Sequence, residues 1–350
     1  QKFVTENRWW LDDYALFMAL KEHTGKSWFD WEDGLKFRDP DMIWKARNEL
    51  RSKIRFQSFI QYIFSRQWNA LRDHARKCGI SIIGDMPIYV ALDSVDVWAN
   101  PDCFQLDEKG FPTQVAGVPP DYFSADGQLW GNPLYDWAAM KQDGYRFWLA
   151  RLAACLRLHD VVRIDHFRAF DEYFSIPTAT MSAKDGHWEK GPGIELFRRA
   201  EEVLGWHEVI AEDLGLMTDT VRKLVKDSGF PNMKVLQFAF DSREPSEYLP
   251  HTYTRNCVVY TGTHDNMTMR QWFETAPRDA KKYAMEYMGL TEAEGLVLGT
   301  IRTAMSSVAD MCIIQMPDWL NLGGEARMNF PGTLSDANWT WRANQSDINM

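Results

Sequence analysis

The chain has 350 residues, 45% of them hydrophobic and 25% charged, enough to bury a large core as one barrel or as two ordinary domains. Its formal net charge of −10 repels phosphate backbones and anionic lipid, which argues against nucleic acid and membrane surfaces as partners and favours a neutral ligand. Five widely spaced cysteines form no CxxC pair and no apolar run nears the roughly 20 residues of a membrane span, so neither a disulfide framework, a zinc site nor a spanning helix is expected, and a reducing, cytoplasmic compartment fits.

Residues 1–78 read as helical. Trp10, Tyr14, Phe17 and Met18 recur at helical spacing, and a longer pattern over 43–78 carries Phe56, Phe59, Ile60, Ile63, Phe64, Trp68 and Leu71, most simply core stripes. Asp39-Pro40-Asp41 is a helix start. At Gly79 the period changes, and Ile80-Ser81-Ile82-Ile83-Gly84-Asp85-Met86-Pro87-Ile88 reads as a buried strand that delivers Asp85 to its end. Residues 91–143 show no long periodic element but are dense in Pro, Gly, Asp and aromatics, the composition of a binding loop. With 14% aromatics and 16 Trp, the chain has flat rings to spare for the faces of hydroxyl-rich ligands.

From residue 145 strands and helices alternate. Helices are expected over 145–159, 194–204, 218–228, 278–288 and 292–308; strands end at Asp165, run over 233–240 and over 311–316, and lie in the runs 208–215 and 257–266, with Glu212 and Asp265 just past their β-rich parts. With the strand at Asp85 this makes six, and alternation of this kind means a parallel sheet with covered faces. Polar residues follow the strands' C-terminal ends, where (β/α)-barrel enzymes place catalytic groups. In Val161-Val162-Arg163-Ile164-Asp165-His166, Arg163 and Asp165 share one face, so a permanent cation holds a carboxylate ionised, either as a buried structural pair or as a nucleophile. Glu212 follows apolar Val209, Ile210 and Ala211 and precedes Asp213, so it is the carboxyl to hold a proton, while Asp213 is a candidate cap for the next helix. Asp265, beside His264, is placed to hold sugar hydroxyls. Paired carboxylates of this kind suit retaining glycoside chemistry. With no HxH or HExxH pattern, a metal site is not expected.

Long stretches resemble the 4-α-glucanotransferases (amylomaltase, disproportionating enzyme). They include Gly84-Asp85-Met86-Pro87-Ile88-Tyr89-Val90, Ser94-Val95-Asp96-Val97-Trp98, residues 116–137, Arg163 to Arg168, Thr261 to Asn266, and Arg327-Met328-Asn329-Phe330-Pro331-Gly332-Thr333. The resemblance implies an α/β fold, a (β/α)8 TIM-type barrel of the α-amylase superfamily with helical and loop insertions. It also implies transfer of an α-1,4-glucan segment to a 4-hydroxyl through a covalent intermediate, with no metal or organic cofactor. Asp165 then matches the nucleophile, Glu212 the acid/base and Asp265 the transition-state stabiliser; Arg163, His166, His264, Asp85, Asp121, Gln128, Trp130 and Asn329 match substrate-binding positions. Residues 1–78 would be a helical subdomain inserted in the barrel and 79–350 its strands 3 to 8 with the cleft loop 91–143. Met267 and Pro317 depart from the family's usual residues. The family's first two strands would precede Gln1, so the 350 residues alone are expected to be poorly soluble and inactive. The rival readings are an α-amylase-type hydrolase and a non-catalytic glucan-binding protein.

Overall fold

Asp39 starts a helix as its position before Pro40 predicts: in the computed structural model, which describes residues 1–120, 125–215, 217–241 and 246–348, its carboxylate accepts from the Asp41 and Met42 amides, each at 3.1 Å. The period over 43–78 is two helices, Pro40–Glu49 and Arg51–Lys77, broken at Leu50. Their aromatic stripe is not core: Phe56, Phe59, Phe64 and Leu71 are exposed, and only Ala75 of Arg51–Lys77 is buried. Helical period marks an apolar face but does not say that anything covers it. Of the earlier stripe only Phe17 is buried, packed against Trp31 and Trp98, while Trp10, Tyr14 and Met18 are half-buried; the buried face of that helix is carried instead by Leu11, Ala15, Leu16, Ala19 and Leu20.

The chain divides into two compact units, residues 1–209 with 218–228, and residues 210–217 with 229–350. Among the described residues the strands are β1 (Ile83–Met86), β2 (Gln114–Val118), β3 (Gln128–Pro133), β4 (Val161–Ile164), β5 (Glu172–Pro177), β6 (His187–Lys190), β7 (Val209–Ala211), β8 (Asn232–Val235), β9 (Cys257–Tyr260) and β10 (Met311–Ile313). All six expected strands form, but β1 occupies only four residues of the run 80–88 and is not buried as expected, with Ile80 and Ile83 exposed, and β10 stops at Ile313 before the helix Met316–Trp319. In the first unit β1 and β4 pair in parallel, with Asp85 level with Arg163, and the Val162 amide donates to the Glu208 carbonyl. The chain passes from one unit to the other within β7. In the second unit Ala211 pairs with Asn232, and β8, β9 and β10 form a parallel ladder. Val162, Ile164, Ile210, Ala211, Val258 and Val259 are essentially sealed from solvent, as strands covered on both faces require.

Two expectations need correction. The strand foreseen over 233–240 stops at Val235 and turns into a 3-10 segment, Leu236–Phe238, because Leu236 is drawn into a cluster with Tyr253, Cys257, Val259 and Ala304. The stretch 91–143 is not without elements: β2 and β3 join β5 and β6 in an antiparallel sheet of order β3-β2-β5-β6. These strands are short, carry glycine, and find a partner some sixty residues later, so neither period nor length exposes them. Among the described residues no helix is long and apolar enough to cross a membrane.

Candidate active site

The parallel register of β1 and β4 sets Asp85 beside Arg163, and the Arg163 guanidinium joins two carboxylates. Its Nη1 donates to both Asp85 oxygens at 2.6 Å, and its Nη2 donates to Asp165 Oδ1 at 2.9 Å. The Arg163 side chain is 9% exposed while those of Asp85 and Asp165 are 44% and 45% exposed. The cation is therefore sunk under two carboxylates that open outward. A guanidinium cannot give up its proton, so in this fork the ionised form of Asp165 is favoured on a side chain that is nearly half exposed. The Asp165 amide donates to the Met86 carbonyl, which locks the residue to the end of β1.

His166 follows in a left-handed conformation, φ 51°, rare for a residue with a side chain and typical of constrained sites. Its ring stands edge-on to Trp130, 4.9 Å between centroids. Burial and the nearby Arg168 cation push the His166 imidazole down to about 3, so it is neutral at neutral pH and can both donate to and accept from hydroxyls. Trp130 and Gln128 lie on one face of β3, and the Trp130 indole donates to Gln128 Oε1 at 3.1 Å. Opposite, at a register shift in β2, a Cβ on Gly117 would run into the Gln128 carbonyl, so glycine permits the close approach that seats both residues. Gln128, Trp130 and His166 thus form a polar-edged aromatic wall in the first unit. Asp121 lies outside the described residues.

In the second unit Glu212 leaves the end of β7 and accepts from the Leu214 amide at 2.8 Å. Glu212 and Asp213 are both 7% exposed. Asp213 does not cap the next helix; it accepts from the Met233 amide at 2.9 Å and from Asn232 Nδ2 at 3.2 Å, tying β7 to the start of β8, while Thr218 Oγ1 accepts from the Val221 amide at the helix entrance. Burial raises the Asp213 carboxyl above its usual range.

Asp265 stands in the loop after β9. Asn329 Nδ2 donates to its Oδ1 at 2.7 Å, and His264 Nε2 lies 3.5 Å from its Oδ2. Arg327 Nη2 donates to the Asp265 main-chain carbonyl at 2.8 Å, and the His264 ring lies 5.0 Å from Trp339. Asp318, 2% exposed, fastens both ends of the loop, accepting from the Thr261 hydroxyl and the Met269 amide at 2.6 Å each. In between, Gln237 and Gln315 both donate to the Met267 carbonyl, at 2.7 and 3.1 Å. The two family departures fall harmlessly here: Met267 contributes its main chain, and Pro317 sits in the first turn of the helix Met316–Trp319, where an amide is dispensable.

The family described as 4-alpha-glucanotransferase matches residues 1–347. A 4-alpha-glucanotransferase of Clostridium butyricum is 48% identical over 345 residues, 98% of this chain and 71% of the relative. That of Thermus thermophilus is 48% identical over 348 residues, 97% of this chain and 69% of the relative. The solved amylomaltase of Streptococcus agalactiae in complex with acarbose superposes with a TM-score of 0.96 at 40% identity, covering 99% of this chain and 70% of that one.

The chain belongs to the 4-alpha-glucanotransferase family. Its architecture is that of the family's (β/α) barrel, and its activity is 4-alpha-glucanotransfer rather than hydrolysis or passive glucan binding. Among the 4-alpha-glucanotransferase motifs, sequence reasoning passed over Arg327, two residues before Asn329, and the Gln237, Gln315 and Asp318 supports of the Asp265 loop. For Arg327 the signal was present: an ionisable residue next to a binding asparagine in one motif. The supports gave none, because apart from the Thr261 hydroxyl on Asp318 their partners are main-chain groups that no side-chain pattern marks.

Proposed function

We propose that this chain transfers α-1,4-glucan segments by a retaining double displacement. The Asp165 carboxylate attacks the anomeric carbon as Glu212 gives its proton to the departing glycosidic oxygen, leaving a β-glycosyl ester on Asp165. The shortened glucan leaves, and an acceptor's 4-hydroxyl loses its proton to Glu212 as it attacks the same carbon, restoring the α linkage. Asp265 steadies the ring's positive charge. Gln128, Trp130, His166, Asp85, Asp121, His264 and Asn329 bind glucose units.

The observation that supports this most is the Arg163 fork, which holds Asp165 anionic yet open to solvent beside the wall of Trp130 and neutral His166. Glucan as ligand is supported by the acarbose complex of the S. agalactiae amylomaltase, and the negative net charge by itself disfavours nucleic acid. Five free thiols among the described residues support work in the reducing cytoplasm.

With the full-length protein, maltotriose supplied alone should become glucose and a ladder of longer maltodextrins; glucose and maltose without longer products would overturn transfer. Asp165→Asn should abolish the reaction. Glu212→Gln should lose on the order of 10² to 10⁴ with maltotriose and regain rate on an α-glycosyl fluoride, whose leaving group needs no proton. A Glu212→Gln variant equally inert toward the fluoride would remove the acid role.

A further inference from the structure

Asp165 is carried on the end of a strand, but Asp265 is not. β9 ends at Tyr260, and Asp265 comes five residues later in a turn that Asn266 Oδ1 closes by accepting from the Thr263 amide and hydroxyl at 2.8 and 2.9 Å, with the Asp265 amide donating to Thr263 Oγ1 at 3.3 Å. From outside that turn its main chain is held by Arg327, whose guanidinium spans two carbonyls. Nη2 donates to Asp265 at 2.8 Å and Nε donates to Asn329 at 2.9 Å. Asn329 in turn donates Nδ2 to Asp265 Oδ1 at 2.7 Å, and the guanidinium lies over the Phe330 ring at 4.3 Å. Arg327, Asp265 and Asn329 close a ring in which one cation fixes both the backbone that bears the Asp265 carboxylate and the backbone that bears the carboxylate's amide donor.

We propose that Arg327 is a positioning residue for glucan transfer, setting the direction of the Asp265 carboxylate through the Asp265 carbonyl and through Asn329. The inference rests on the reading of Asp265 as transition-state stabiliser. Only a rigid fork with several donors spans both carbonyls; an ammonium in its place reaches one of them with a single, freely rotating head. The placement matters because stabilising groups act on charge that exists only in the transition state, where an error of about 1 Å costs about 10² in rate.

The test compares Arg327→Met, Arg327→Lys and Asp265→Asn, with maltotriose and with α-maltosyl fluoride. Arg327→Met should lower kcat by about 10² with KM within a few-fold, and by the same factor on the fluoride, since the ring charge must be stabilised whatever the leaving group. Arg327→Lys should fall in between. Combining Arg327→Met with Asp265→Asn should cost no more than Asp265→Asn alone, because the two act through one carboxylate. If Arg327→Met does not fold, Arg327→Lys carries the comparison, and wild-type kcat in that variant overturns the proposal. A loss confined to KM, a lowered Tm with kcat intact, or effects that multiply with those of Asp265→Asn also overturn it. An Asp265→Asn variant of normal kcat would instead remove the role given to Asp265, so the two failures are told apart.

Discussion

Asp165 and Asp265 are the same residue type held in opposite ways. Asp165 ends a parallel strand, and a sunken cation two residues before it, level with Asp85 on the next strand, bonds to its carboxylate directly. Asp265 hangs in a loop, its carboxylate bonded to a neutral amide from a segment more than sixty residues later, while the cation of that segment touches its main chain. A strand end is already rigid, so a single charge suffices to fix the state of Asp165. A loop has to be given its shape, so Asp265 is surrounded by donors to backbone carbonyls. Charge decides the first position and geometry the second, a division that suits the roles proposed for them, a nucleophile that must stay anionic and a stabiliser that must point correctly.

The largest expected effect breaks the charged half. Arg163→Met would leave Asp85 and Asp165 facing one another without their shared cation. We expect kcat to fall by about 10³ on maltotriose and fluoride alike. The carboxylates left behind are 44% and 45% exposed and stay solvated, so the loss of stability should be modest, about 1 kcal/mol, read as a slightly lower midpoint in urea. Near-normal kcat in this variant would show that the fork is structural only. A smaller effect is expected from Asn329→Ala, which removes the neutral donor to Asp265 while leaving Arg327 in place. A hydrogen bond to a charged group contributes about 1.5–3 kcal/mol, so kcat should fall by roughly 10- to 100-fold. If Asn329→Ala outweighed Arg163→Met, the contrast between the two positions would be reversed.

Acid sharpens the same contrast in the first unit. Asp160, at the entrance to β4, accepts from the Ile82 amide at 3.0 Å, from Arg76 at 2.7 Å and from Arg72 at 2.9 Å, which anchors the helix Arg51–Lys77 to the start of β1. The Ile82 amide first, then Arg76 and Arg72, hold its carboxyl far below the usual carboxylate range. A depressed folded-state value means that the unfolded chain binds the proton more readily. This contribution to stability is therefore complete above about pH 4 and fades as the pH falls toward the folded value. Asp160→Asn should lower Tm by a few degrees at pH 7, and the gap to the unmodified protein should close in acid. A gap that stays constant down to pH 2 would assign the effect to packing.

The parallel strands and the carboxylates at their ends were legible because buried β-branched runs that stop at ionisable residues carry both facts at once, as in Val161 to Asp165. The Arg163–Asp165 arm of the fork followed from the two-residue period of a strand, whereas the Asp85 arm, set by the parallel register of β1 and β4, did not. What the sequence did not disclose depends on partners distant along the chain. The antiparallel sheet that seats Gln128 and Trp130 needs β5, and the burial of Asp213 against β8 was hidden behind its resemblance to a helix cap. The stripe of Phe56, Phe59 and Phe64 was legible as a stripe, but whether a face is covered is decided by the rest of the fold, and in this structure it is not.

The smallest expected effect probes the loop's inner support. Gly262 has no positive φ to require glycine, yet a Cβ there would stand 2.5 Å from Gln315 Nε2 and 2.6 Å from Gln237 Nε2, the two amides that grip the Met267 carbonyl. Both are ends of flexible side chains, so Gly262→Ala need not disturb β9; the amides would swing aside and release Met267. Each lost bond contributes about 1 kcal/mol, and Asp318, Arg327 and Asn329 would still hold the loop on either side and at Asp265 itself. We therefore expect the variant to fold with a slightly lower Tm and to lose less than about tenfold in kcat, a cost smaller than one full tenfold step of about 1.4 kcal/mol in barrier height. Gln237→Ala and Gln315→Ala together should reproduce it. A Gly262→Ala loss as large as that of Arg327→Met would mean that the grip on Met267, rather than the ring around Arg327, sets the direction of Asp265.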